Sequence, residues 1–310
     1  MLEAPVIIGV AVAIILLILL WGRKGGDGEE DAFYDPSDGI RQPHKWGYTD
    51  TRFEFDGPRS VRVTGSRYPL AGFSMPYFVP FAEEVLGIEI TPESIMPEVE
   101  RGELSPRRQR EAFEAALAAA LTADQISGGD EDRLIHSHGQ LSVDEIYRLH
   151  YLGGLARVVD LVVYPASEED VRHLVRLAGE HDVCLVPYGG GTNVSGALAC
   201  PVEEERPIVS VDMRRMCHIL DLDEENLQAT IEAGIDGKQL ERELAARGYT
   251  TGHDPDSVEL ATLGGWIATN ASGMKKNRYG NIEDIVLEAT LVTAIGDVET
   301  RQATPRNSTG

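Results

Sequence analysis

Residues 183–196 read Val-Cys-Leu-Val-Pro-Tyr-Gly-Gly-Gly-Thr-Asn-Val-Ser-Gly, and this stretch limits the fold more than any other. A short apolar run predicts a buried strand that ends near Pro187 and opens into Gly189, Gly190 and Gly191. Without a Cβ, such a backbone can turn with positive φ and lie bare against a ligand. Successive N–H groups in such a turn form a concave anion site, so the segment predicts a cradle for a phosphate or diphosphate. The plainer alternative is a glycine-rich turn between two strands. Neither the P-loop pattern nor Gly-x-Gly-x-x-Gly is present, so the glycines alone leave the two readings level.

The rest of the chain has to decide between them. With 310 residues it is long enough for about two domains. Its formal charge of -23, from 51 acidic and 28 basic residues, argues against a nucleic-acid partner. Cys184, Cys200 and Cys217 are too few and too scattered for a disulfide framework or a metal site, and they read as reduced thiols. Residues 4–21 are almost wholly apolar, about the least that spans a bilayer. Arg23 and Lys24 follow, which predicts a single-pass membrane anchor over 1–22 with the body on the cytoplasmic side. An uncleaved export signal is the competing reading. Residues 23–43 read as a polar, disordered linker rich in Gly, Asp and Glu.

A distinct N-terminal region is expected over 44–156, with strand around 60–64 and helices over 77–86, 111–123 and 144–152. From 157 the texture changes. An apolar strand over 158–164 is followed by Ser167 as a cap ahead of Glu168, Glu169 and Asp170, then by Val171, Leu174, Val175 and Ala178 at helical spacing. The next strand runs into the glycines, so the unit is strand–helix–strand with parallel pairing. Strands over 208–211, 219–222 and 227–233 and a helix over 237–247 complete an α+β pattern.

Residues 252–284 form a second dense constellation: Gly264 and Gly265, the small polar Thr269, Asn270 and Ser272, the cations Lys275 and Lys276, and interleaved Leu260, Leu263, Trp266 and Ile267. A loop this long inside a compact domain is functional or disordered, and the apolar anchors favour order. His253 adjoins this block as a candidate site residue or a turn cap. His136, His138 and His150 lack metal spacing and read as surface or structural histidines, and no metal site is expected.

These two blocks, with Trp46-Gly47-Tyr48, residues 64–70 and the Ser-Gly-Met-Lys-Lys-Asn run at 272–277, resemble the PCMH-type FAD-binding domain of the vanillyl-alcohol-oxidase superfamily, in its alkylglycerone-phosphate synthase branch. The similarity extends over roughly 44–310. It implies a fold of two α/β subdomains, an FAD domain over 157–310, and three flavin-contacting segments. The first is Pro187, Tyr188, Gly189, Gly190, Gly191, Thr192 and Asn193. The second is Pro255, Asp256, Ser257, Val258, Glu259, Leu260 and Ala261. The third is Thr269, Asn270, Ala271 and Ser272, with Asn270 departing from the arginine of animal members. No histidine stands between His181 and Cys200, where some relatives attach flavin, so non-covalent FAD is expected. The activity implied exchanges the acyl group of 1-acyl-dihydroxyacetone phosphate for a fatty alcohol, with a homodimer as a possible assembly. The family's catalytic residues fall beyond Gly310, so no catalytic residue is assigned, and a C-terminally truncated, inactive fragment is expected. The alternatives are an FAD-dependent 2-hydroxy-acid oxidoreductase of the glycolate or lactate type, and a non-catalytic remnant.

Overall fold

A computed structural model describes residues 49–65, 70–94, 99–100, 102–139 and 142–301. The expected anchor over 1–22 and linker over 23–43 lie outside them. Among the described residues no helix is long and apolar enough to cross a membrane. The described residues form two units, one holding 49–103 and 142–155, the other 104–139 and 156–301.

In the first unit β1 (Phe53–Gly57), β2 (Ser60–Val63) and β3 (Ser74–Met75) make an antiparallel sheet. Helix α1 (Phe78–Leu86) turns Val79 and Ala82 inward. It stops at Gly87, whose φ of 65° only glycine holds without strain. A second helix covers Val143–Tyr151.

The second unit carries a four-stranded sheet in the order β4-β5-β7-β6, from Ile126–Ser127, Leu161–Val163, Ile208–Asp212 and Cys184–Tyr188. Strands β5, β7 and β6 run parallel, and β4 joins β5 antiparallel. Helix α2 (Glu111–Ala120) and helix α3 (Glu168–His181) bury Phe113, Leu117, Leu174 and Leu177 against Leu161, Val163, Val209 and Val211 of the sheet. The Ser167 hydroxyl accepts from the Asp170 N–H at 3.2 Å, so α3 begins where its capping residue predicts. Beyond the sheet lie the β8–β9 hairpin (Ile219–Asp223 and Gln228–Ile231), helix α4 (Gly237–Ala245), helix α5 (Leu263–Thr269) and the β10–β11 hairpin (Glu288–Thr293 and Gly296–Arg301). Around α4 and α5 a separate core forms from Ile235, Leu240, Leu244, Ala261, Trp266 and Ile282. This is the mixed α/β architecture expected.

Among the boundaries that differ from the sequence reading, three have a clear physical reason. Residues 104–139 belong with the sheet rather than with the N-terminal region, because β4 pairs with β5 and α2 packs on α3. The apolar run expected as strand from 158 enters the ladder only at Leu161. Side chains satisfy the backbone before it: the Val158 and Val159 N–H groups donate to Ser105 Oγ (3.2 Å) and Ser137 Oγ (2.8 Å). Helix α2 ends at Ala120 rather than 123, since Thr122 and Gln125 form a reciprocal capping box for the next turn.

Candidate FAD site

The glycine run begins where two parallel strands end together. Tyr188, the last residue of β6, is paired in register with Asp212, the last residue of β7. Ligands in open parallel sheets bind beyond the carboxyl ends of strands. Gly189, Gly190 and Gly191 leave from this point with almost no clearance. A Cβ on Gly189 would run into Thr262 Oγ1, and one on Gly190 into the Leu260 carbonyl. Gly191 has φ +69°, and a Cβ there would stand 2.7 Å from Tyr188 Oη. At Gly190 the loop is backbone laid directly on backbone, while Gly189 and Gly191 press on the side chains of Thr262 and Tyr188, packing that leaves no room for a Cβ. Asn193 Oδ1 accepts from the Ala197 N–H at 2.9 Å and closes the turn that follows.

The second segment supplies the wall that the loop rests on. Ser257, at φ 55°, starts a tight turn whose carbonyl accepts from the N–H groups of Leu260 (2.9 Å) and Ala261 (2.8 Å). The Val258 and Ala261 carbonyls accept from Lys238 and Gly237 at the start of α4, which fixes this turn to the second core. Leu260 and Ala261 are buried. Next in the chain, Thr262 accepts from the Gly265 N–H at 3.2 Å and starts α5. Residues 189–191 and 260–262, far apart in sequence, therefore meet.

The third segment is the exit from α5. Asn270 sits at φ 49° and ψ 52° as the left-handed cap of that helix. Asparagine tolerates this conformation better than most side chains, which accounts for its presence. The Ala271 N–H donates to the Trp266 carbonyl at 2.9 Å. The Thr269 hydroxyl donates to the Gly265 carbonyl at 2.8 Å. Beyond Ser272, the Met274 N–H donates to the Asp254 carbonyl at 2.7 Å, and Lys275 Nζ lies 3.6 Å from the Asp254 carboxylate. The third segment thereby abuts the start of the second.

Two buried groups nearby have no hydrogen-bond partner: both ring nitrogens of His253, and Trp266 Nε1, with the rings edge to face at 5.0 Å. Burial pushes the His253 pKa below its ordinary value, against the weaker pull of Asp254. A glycine turn at the carboxyl ends of β6 and β7, with no side chain of its own, fits a dinucleotide with a diphosphate at its centre. Among the described residues no group of histidines, cysteines and carboxylates could hold a metal ion.

Sequence reading missed the polar layer under the cradle. His136 and Asp212 are both fully buried and lie 2.7 Å apart, Nε2 to Oδ2. Arg214 donates to Asp212 from its backbone N–H (2.9 Å) and from its guanidinium (2.5 and 2.8 Å). Burial works to raise the Asp212 pKa, but His136 and Arg214 outweigh it and hold the carboxyl well below the usual carboxylate range. No spacing in the sequence announces a pair 76 positions apart.

Residues 159–301 match the family described as FAD binding domain. This part of the chain is similar to that family, and the cofactor is FAD. Similarity reaches well beyond the domain, to alkyldihydroxyacetonephosphate synthases. The one from Caenorhabditis elegans is 38% identical over 287 residues, which is 91% of this chain and 47% of that protein. The one from Dictyostelium discoideum is 40% identical over 204 residues, 66% of this chain and 33% of that protein. A solved structure of an alkyldihydroxyacetonephosphate synthase superposes with a TM-score of 0.76 at 33% identity, covering 89% of this chain and 50% of that one. The chain thus spans about half the length, or less, of the relatives it matches.

Proposed function

We propose that the protein is the membrane-anchored, FAD-binding part of an alkylglycerone-phosphate synthase. The reaction replaces the C1–O bond to the fatty acyl group of 1-acyl-dihydroxyacetone phosphate with a C1–O bond to a fatty alcohol and releases the fatty acid, with no net oxidation. FAD, when bound, supplies an electron sink for this exchange. The chain's own residues bind and orient it: Gly189–Gly191 receive the diphosphate, residues 255–261 wall it, and residues 269–272 close the third side. The observation that carries the reading is the close packing of the glycine loop on Leu260 and Thr262 in a chain similar to alkyldihydroxyacetonephosphate synthases over 91% of its length.

The absence of histidine between His181 and Cys200 supports non-covalent attachment. The apolar run over 4–21, followed by Arg23 and Lys24, supports a single-pass anchor with the body cytoplasmic, in keeping with substrates that partition into bilayers. A homodimer is part of this proposal. The full-length protein that carries this chain, given labelled acyl-dihydroxyacetone phosphate and a fatty alcohol, should form the alkyl ether. Flavin bleaching by lactate or glycolate, with no ether formed, would establish the hydroxy-acid oxidoreductase instead. Protease treatment of sealed vesicles decides the orientation: digestion of the body from the luminal side alone contradicts it.

A further inference from the structure

His136 lies outside the span matched by the FAD-binding family, yet its ring sits against the base of the glycine loop. The short helix that carries it, Asp130–Ile135, is fixed to the strand entry by side-chain bonds. Arg133 donates to the Val159 carbonyl (2.9 Å) and the Ser105 carbonyl (2.6 Å), and the Val159 N–H donates to Ser137. The ring is thereby set in place and fully buried.

Both of its nitrogens face oxygens. Nδ1 is 2.6 Å from the Asp132 carbonyl and Nε2 is 2.7 Å from the Asp212 carboxylate. The two contacts, one to a backbone carbonyl and one to a carboxylate, fix the orientation of the ring. One face of the ring meets Tyr188 at 4.4 Å between centroids, and Tyr164 stands edge-on at 5.9 Å. Tyr188 in turn places its hydroxyl directly under Gly191, where a Cβ would approach it to 2.7 Å. His136 therefore touches the last residues of both strands from which the cradle rises.

We propose that His136 is a positioning residue for the FAD diphosphate: acting through Tyr188 and Asp212, it holds the Gly189–Gly191 turn in shape. It makes no contact with the cofactor itself. The inference rests on the FAD assignment and goes beyond it, since the family match does not include this segment.

The test uses the full chain, wild type and His136→Phe, which keeps an aromatic ring but loses the hydrogen bonds to Asp132 and Asp212. Binding of FAD, ADP and riboflavin is titrated for each. Affinity for FAD and ADP should fall about tenfold, the scale of coupling through neighbouring residues, while riboflavin, which has no diphosphate, is unaffected. Equal weakening of all three ligands marks a merely structural residue and overturns the proposal, as does no change at all. Nitrogen-15 NMR of the wild-type imidazole gives a reading that does not depend on the variant folding. The ring signals should move on adding ADP. A ring indifferent to ADP also overturns it. A wild-type chain that binds neither FAD nor ADP removes the cofactor assignment together with this inference, whereas wild-type binding with an unresponsive His136 removes this inference alone.

Discussion

Gly190 lies directly against the carbonyl group of Leu260: a Cβ added to Gly190 would fall inside 3.0 Å of that oxygen, a distance real Cβ atoms do not adopt. The obstacle is backbone on both sides, so no side chain can swing away to relieve it. Gly190→Ala is therefore expected to cost about 1–3 kcal/mol in stability or to displace the loop. The melting temperature of the variant should fall, and FAD added at saturating concentration should stabilise it less than it stabilises the wild type. A variant with unchanged melting temperature and unchanged FAD response would mean that the loop and residues 260–262 are not in contact.

Asp160 joins three separate segments of the second unit. Its carboxylate accepts from Arg157 (2.9 and 2.5 Å), the Arg108 N–H (2.7 Å) and the Ile208 N–H (2.8 Å), and its carbonyl accepts from Arg107 (2.7 Å). Both Arg157 and Asp160 are buried. Asp160→Ala leaves a buried guanidinium unpaired, with an expected loss of about 3–5 kcal/mol. Urea denaturation followed by tryptophan fluorescence measures it. A loss under 1 kcal/mol would show that water or another acceptor compensates.

Much of this unit was legible because its signals are local. The helix at Glu168–His181 announces itself by Ser167 and by apolar residues at helical spacing, and the strand before the glycines by its apolar run. What stayed hidden depends on distant partners. Two residues, Ile126–Ser127, carry no strand signal of their own, yet they pair with Val162 and Val163 and draw residues 104–139 into the flavin-binding unit. His136 looked like any isolated histidine, since its meaning comes from Asp212 and Tyr188. The three flavin segments were placed by resemblance. Their physical reason, a glycine backbone pressed on the Leu260 carbonyl, shows only once the chain is folded.

The buried His253 ties stability to pH. Burial holds its pKa below the ordinary 6.5, so on acidification the unfolded chain takes up this proton before the folded one does. The folded state is then favoured above pH 6.5 and loses ground as pH falls through the lowered value. Between pH 7 and pH 5 the wild type should lose more stability than His253→Leu, which has no proton to bind. Melting curves at pH 5, 6 and 7 for both proteins check this. Parallel pH profiles would place the histidine in contact with water.

Burial also raises the thiol pKa of Cys200, to about 11, against the opposing influence of Ser137 and Arg157. Since the thiolate is the reactive form, Cys200 should be modified by iodoacetamide at pH 8 far more slowly in the folded chain than in urea. Peptide mapping after timed labelling reads the ratio. Equal rates in both states would contradict a buried thiol.

Gly189–Gly191, laid against Leu260 and Thr262, are proposed to receive the diphosphate of FAD. A crystal structure of the chain grown with FAD tests this. The diphosphate should lie within hydrogen-bond distance of the backbone N–H groups of residues 189–193. FAD bound elsewhere, or this loop closed over protein alone at saturating FAD, would contradict it.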